Sequence, residues 1–173
     1  MSKSRGASPL VDLAHEAVHG FVTSGRTLDA PDPLPEIMKP RAGVFVSIKK
    51  HGQLRGCMGT FLPSQASLAH EIIANAIQSA SQDPRFPPID ASELADLAIS
   101  VDILTLPEPC EESQLDPSVY GVVVQHGWRR GLLLPDLEGV ETVAEQIDIA
   151  KRKAGIRADQ QVSLSRFMVK RHE

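Results

Sequence analysis

Gly43-Val44-Phe45-Val46-Ser47-Ile48-Lys49-Lys50, followed by His51-Gly52 and then Gln53-Leu54-Arg55-Gly56-Cys57-Met58-Gly59-Thr60, is the stretch whose reading decides the fold. Its first arm alternates, with Val44, Val46 and Ile48 on one face and Phe45, Ser47 and Lys49 on the other, the period of a half-buried strand. His51-Gly52 reads as a hairpin turn, and the second arm returns to Thr60. A two-residue turn sets Arg55 opposite Ile48 and Cys57 opposite Val46, so both are expected on the Val44/Val46/Ile48 face. A slip by one residue would set Arg55 against Lys49, and like charges directly across a ladder are unfavourable. The expected result is an arginine rising from a mostly apolar face, where it needs a carboxylate or an anionic ligand. Glycine weakens a strand interior and marks a bulge or a close approach by a ligand or another backbone. With Gly56 and Gly59 flanking Cys57, the second arm reads as a site.

Outward from the hairpin, the elements alternate between helical and extended periods. Upstream, Ser8-Pro9 reads as an N-cap and first helical residue, and Leu10, Leu13, Ala14, Ala17, Val18 and Phe21 recur at helical spacing up to Gly25. His15 and His19 lie four apart on this helix but have no third metal-type ligand at a telling distance, so they read as a solvated face. Leu28 to Pro40, with its interleaved prolines, reads as an extended, packed connector. Downstream, a long helix over about 66–82 has Leu68, Ala69, Ile72, Ile73, Ala76, Ile77 and Ala80 as its core face, and Glu71, Asn75 and Gln78 as a solvated stripe, one edge of which could reach the Arg55/Cys57 surface. Asp83-Pro84-Arg85-Phe86-Pro87-Pro88 is a proline-stiffened turn that leaves Asp83 and Arg85 in fixed positions.

Beyond the turn, Leu97 to Leu106 reads as a strand whose far end is buried on both sides through Leu104 and Leu106. Tyr120 to Gln125 and Gly131 to Leu134 read as a second hairpin around His126-Gly127. Val143, Ile147, Ala150 and Ala154 mark a helix ending at Gly155, and the alternation from Val162 to Val169 reads as one last strand. The order predicts an α+β fold, a largely antiparallel sheet flanked by helices, and the length fits one compact domain, or one domain with a lobe, with residues 1–7 as a flexible N-terminus.

Composition narrows the function classes. In 173 residues, 18 Lys and Arg stand against 22 Asp and Glu, a net charge of −4, so the global balance gives no electrostatic reason to expect nucleic acid or an anionic membrane. A chain of this length buries roughly 70% of its unfolded surface without disulfides or a structural metal. The two cysteines, Cys57 and Cys110, have neither paired nor zinc-type spacing. No apolar run approaches a membrane span, and the polar opening lacks the apolar core of a secretion signal. The expectation is a cytoplasmic protein with no cofactor, no metal and no membrane contact. Trp128 with Arg129 and Arg130 beside the second hairpin is a weak nucleic-acid signal that predicts steeply salt-dependent binding.

Four segments together carry a family resemblance: residues 40–47, Leu54-Arg55-Gly56-Cys57-Met58-Gly59-Thr60, Asp83-Pro84-Arg85-Phe86-Pro87-Pro88, and Gly131-Leu132-Leu133-Leu134-Pro135-Asp136-Leu137-Glu138-Gly139-Val140. In this order they resemble the AMMECR domain family, and the last, running into Lys153-Ala154-Gly155-Ile156, is similar to its prokaryotic branch, AmmeMemoRadiSam system protein A. Met58 stands where the family hexapeptide has isoleucine, a change within apolar types. The resemblance spans residues 8–171 as a single AMMECR-type domain and implies an α+β fold of two unequal lobes with a cleft between them. It also implies association with a Memo-like protein and a radical S-adenosylmethionine enzyme, and it delivers no reaction.

The residues leave three readings of the hexapeptide open. In the first, an accessory component holds a small anionic ligand or a partner segment at Arg55, Gly56, Cys57 and Gly59, with Arg55 and Arg85 as positive anchors and Asp83 ordering one of them. In the second, Cys57 is a catalytic nucleophile or proton carrier and Arg55 lowers its pKa or stabilises an anion, although no histidine is tied to it by spacing; His51, His70 and His126 are the candidates for a base. In the third, Cys57 is a small buried residue packed on Val46 and the motif is structural.

Overall fold

The structure, a computed structural model, describes residues 8–173, so the expected flexible segment 1–7 lies outside the described residues. In chain order the elements are helix α1 (Pro9–Ser24), strands β1 (Gly43–Lys50) and β2 (Gln53–Thr60), helix α2 (Leu68–Ser81), strands β3 (Leu97–Leu104), β4 (Glu108–Pro109), β5 (Gly121–His126) and β6 (Arg129–Leu133), helix α3 (Val143–Ala154), and strands β7 (Ser163–Phe167) and β8 (Val169–His172). The fold is α+β and its strands form two four-stranded sheets, ordered β2-β1-β3-β8 and β4-β7-β5-β6. Among the described residues, those up to Leu104, together with Lys170–Glu173, form one compact unit, and Thr105–Val169 forms a second, smaller one. No described helix is long and apolar enough to cross a membrane.

In the first unit, α1 begins as its sequence dictates: the Ser8 hydroxyl accepts from the Leu10 N–H, Pro9 opens the helix, and Gly25 closes it at φ 68°. The apolar faces of α1 and α2 meet Val44, Val46, Ile48, Ile99 and Val101 of the sheet in one core. Burying each of these aliphatic side chains is worth about 1.5–3 kcal/mol. The polar stripe of α2 departs from its expected solvated position. Glu71 and Asn75 are buried, as is Ser79. They face the backbone of the β1–β2 hairpin, where hydrogen bonds offset their desolvation. The helix can approach this closely because Gly56 has no side chain: a Cβ there would lie 2.1 Å from the Ser79 carbonyl oxygen.

In the second unit, β5 and β6 pair so that His126 faces Arg129, which makes Gly127-Trp128 the turn rather than His126-Gly127. Gly127 takes the positive φ, 60°, that a tight hairpin turn needs. Helix α3 carries a complete capping box, in which the Thr142 hydroxyl accepts from the Glu145 N–H and the Glu145 carboxylate accepts in return, and ends at Gly155. Leu115, Val122, Val124, Leu133, Ala150 and Ile156 form the core.

Two boundary expectations are corrected. Leu106 is 70% exposed, because β3 stops at Leu104 and Leu106 lies in the connection that follows. The last strand is two strands: β7 pairs with β5, β8 belongs to the other sheet, and Met168 between them exchanges hydrogen bonds with Thr105 instead of continuing a ladder.

Candidate functional site

Strand β2 is an edge strand, and its register against β1 overturns the expected pairing. Gly56 faces Ile48 and Leu54 faces Lys49, so Arg55 is an extra residue with no partner across the ladder. This bulge avoids the Arg55–Lys49 clash of charges and shifts everything beyond it by one. Cys57 therefore lies opposite Ser47, not Val46, and projects from the face turned away from α2.

The bulge sends Arg55 to partners within the unit. Its Nε donates to Glu93 Oε1 at 3.0 Å and Nη2 to Glu93 Oε2 at 3.1 Å, a two-pronged ion pair. Nη1 donates to the Pro87 carbonyl at 2.8 Å and Nη2 also to that of Pro88 at 3.3 Å. Glu93 further accepts from Lys50 Nζ and from the Asp90 N–H, where it completes the capping box of a short 3₁₀ turn, Ala91–Asp96. The Arg55 guanidinium, followed by the Asp90 N–H, holds the Glu93 carboxyl down at about 2.

The other end of the proline-rich turn grips Cys57. Asp83, buried, accepts from the Cys57 N–H at 2.9 Å through Oδ2 and from the Arg85 N–H at 3.0 Å through Oδ1. Arg85 donates to the same carboxylate through Nε and Nη2 and to the Cys57 carbonyl at 3.4 Å. Hydrogen bonds from Arg85, outweighing burial, keep the Asp83 carboxyl far below the usual range. Arg85 nevertheless stays 56% exposed, a cation fixed at the strand edge.

Three polar residues four apart on α2, with Asp83 four residues further, complete the hold on β2. Glu71 accepts from the Thr60 hydroxyl, Asn75 donates to the same hydroxyl and to the Val44 carbonyl, and Ser79 accepts from the Met58 N–H. Ser79 also donates to the Val46 carbonyl, so Asn75 and Ser79 bridge β1 and β2 from the α2 side, while Asp83 takes the Cys57 N–H of the edge strand. Burial alone would raise the Glu71 carboxyl, but hydrogen bonds from Ser64, Thr60 and the Gln65 N–H bring it below its ordinary value. Sequence reasoning missed Glu71, Asn75, Ser79 and Glu93. The four-residue spacing leading from Glu71 into Asp83 was the available signal.

On the face away from α2, the ladders place Cys57, Ser47 and Ser100 in one row across three strands. The Cys57 Sγ lies 3.3 Å from the Ser47 Oγ. Burial pushes the thiol up; the Ser47 hydrogen bond and the Arg85 charge pull it the other way without prevailing. The candidate bases are engaged elsewhere: His70 with Ser67, His51 beside Asp96, and His126 with the Gln161 carbonyl. Two residues along from Ser100, on the same face, Asp102 is buried and accepts from Arg171 Nε and Nη2 at 2.8 and 2.9 Å. Ser47, Lys49, Ser100, Arg171 and Glu173 line a depression of about 440 Å³. Gly59 lies on the same face, where a Cβ would meet the Phe45 ring at 2.5 Å. Among the described residues, no three His, Cys, Asp or Glu side chains gather to hold a metal.

This arrangement joins the first three of the four segments singled out in the sequence. The AMMECR1 family model matches residues 11–172. The chain belongs to the AMMECR1 family. A Thermotoga maritima protein is 51% identical to this AMMECR1 chain over 172 residues, covering 97% of this chain and 99% of its own. A Clostridium acetobutylicum protein is 46% identical over 174 residues, a match that takes in 99% of this chain and 37% of the Clostridium protein. The AMMECR1 fold is similar to the crystal structure of an uncharacterized protein from Pyrococcus horikoshii, with a TM-score of 0.86 at 29% identity, over 94% of this chain and 88% of that one.

Proposed function

We propose that this AMMECR1 protein is a binding component that holds a small anionic ligand or a carboxylate-bearing segment of a partner over the Cys57 row. The carrying observation is a strip of small polar side chains, Cys57, Ser47 and Ser100, flanked by two guanidinium groups that buried carboxylates hold in place. Asp83 holds Arg85, and Asp102 holds Arg171. Cations fixed in this way lose little side-chain entropy when an anion arrives. Lys49 adds a further charge on the rim. Arg55 serves by fixing the turn that carries Arg85, since its own donors are taken by Glu93, Pro87 and Pro88. The partners that the family resemblance implies are a Memo-like protein and a radical S-adenosylmethionine enzyme. A raised thiol with a serine as hydrogen-bond partner favours this binding role over a nucleophilic one.

The test is co-purification of the tagged chain with a co-expressed Memo-like protein, comparing wild type with Ser47→Arg and Arg85→Glu. Both substitutions are expected to abolish capture while leaving the circular dichroism spectrum unchanged. Retention of the partner by both folded variants would overturn the proposal.

A further inference from the structure

One end of the Thr105–Val169 unit reverses the charge of the chain. Arg129, Arg130, Lys151, Arg152, Lys153 and Arg157 gather there; Asp159 pairs with Arg157 at 3.1 Å and Asp148 with Arg152 at 3.1 Å, which leaves the cations in excess, whereas the chain as a whole carries −4. Hydrogen bonds knit the three contributing segments together. Arg129 donates to the Gly155 carbonyl, Lys151 to the carbonyls of Ala158 and Gln160, and the His126 ring meets both the Gln161 carbonyl and the Gln160 amide.

Trp128 stands at the tip of the β5–β6 turn, 86% exposed. The Arg129 guanidinium lies over its ring, 5.2 Å from the centroid, which leaves the opposite face of the indole available. A hollow of about 450 Å³ beside it is lined by His126, Gly127, Trp128, Arg129, Arg157 and Gln160.

We propose that this end of the unit binds single-stranded nucleic acid, one base stacking on Trp128 and the adjoining phosphates lying on Arg129, Arg130 and Arg157. Every base has a π-face, so an exposed indole backed by a guanidinium accepts bases without regard to sequence, and the surrounding cations track the backbone. An anionic membrane fits less well. Insertion needs several apolar side chains beside the tryptophan. The other exposed large hydrophobic residues, Ile37, Leu54, Leu62, Leu106, Val119 and Met168, all lie outside this turn. The site belongs to a different unit from the Cys57 row, so the two proposals stand or fall separately.

The chain has one tryptophan, so intrinsic fluorescence reports this site directly. Titrating the whole protein with an oligouridylate of about a dozen nucleotides in about 50 mM salt is expected to quench Trp128 saturably. Three phosphate contacts predict that log K falls with log salt at a slope of about −2. Arg157→Glu is expected to weaken binding about tenfold and flatten that slope. Trp128→Ala, followed by anisotropy of a labelled strand, is expected to weaken it at least about fivefold. Three results would each overturn the proposal: no quenching in low salt, binding that dextran sulfate matches and Trp128→Ala leaves intact, or a blue shift with phosphatidylserine vesicles but no response to the oligonucleotide.

Discussion

Glu93 receives two N–H groups of Arg55, at 3.0 and 3.1 Å, across 38 residues of sequence. The pair locks the bulge of β2 to the 3₁₀ turn beyond the proline-rich segment, and the carbonyls of Pro87 and Pro88 take the remaining reach of the guanidinium. Removing one partner of a mostly buried pair costs about 3–5 kcal/mol, because the other charge is left uncompensated. Lys50 remains beside Glu93, so Arg55→Ala is expected near the lower end, at about 3 kcal/mol. Urea denaturation of Arg55→Ala, Glu93→Ala and the double variant should show that the two losses overlap. Strictly additive losses would mean the pair is not coupled.

The same carboxylates set the response to acid. Glu93 falls from 4.5 to about 2 on folding, and Asp83 also moves down. A depressed folded value contributes stability that is full above the unfolded value and disappears as the pH falls through the folded one. Wild-type stability is therefore expected to decline as pH drops from about 4.5 towards about 2. Glu93→Gln should start less stable near neutrality and show a shallower decline in melting temperature over that interval. An unchanged slope would refute the assignment.

Cys57 should be a slow thiol. Burial raises its pKa and Ser47 shares its hydrogen bond, so at neutral pH the thiolate fraction is below that of a free cysteine. Peptide mapping after iodoacetamide treatment, which separates Cys57 from Cys110, is expected to show Cys57 alkylated more slowly than glutathione between about pH 6 and 8. Faster alkylation than glutathione would return the nucleophile reading to the front.

Strong periodicity made most of the fold legible in the sequence. The alternation of Val44, Val46 and Ile48, the Ser8-Pro9 cap and the Gly25 and Gly155 helix ends all appear where the pattern places them. The side-chain environment of the motif was less legible, and one residue accounts for much of that. A bulge at Arg55 is invisible to a pairing argument that counts two residues per turn and assumes unbroken register, and it moves Cys57 to the opposite face. The chain keeps Arg55 away from Lys49 by leaving it out of the ladder instead of placing it opposite Ile48. Glu71 and Asn75 misled in another way. Polar residues at helical spacing normally mark the solvated side, and only the glycine opposite Ser79 hints that α2 packs tightly against a backbone whose hydrogen bonds need partners.

That packing makes Gly56 the most sensitive position in the motif. A methyl group there would sit 2.1 Å from the Ser79 carbonyl oxygen, a backbone atom of α2 that no rotamer change can move. Relief requires separating helix and strand, which would also stretch the bonds from Ser79 to Met58 and from Asp83 to Cys57. Overpacking of this kind costs about 1–3 kcal/mol, occasionally more, and Gly56→Ala is expected at or above the top of that range. Cys57→Ala keeps its Cβ, retains both backbone bonds and gives up a partly buried sulfur, so a loss of about 1 kcal/mol is expected. The two variants differ by one position and by opposite faces of one strand. Equal denaturation midpoints for them would show that the helix does not rest on Gly56 and that the hold of α2 on the sheet edge lies elsewhere.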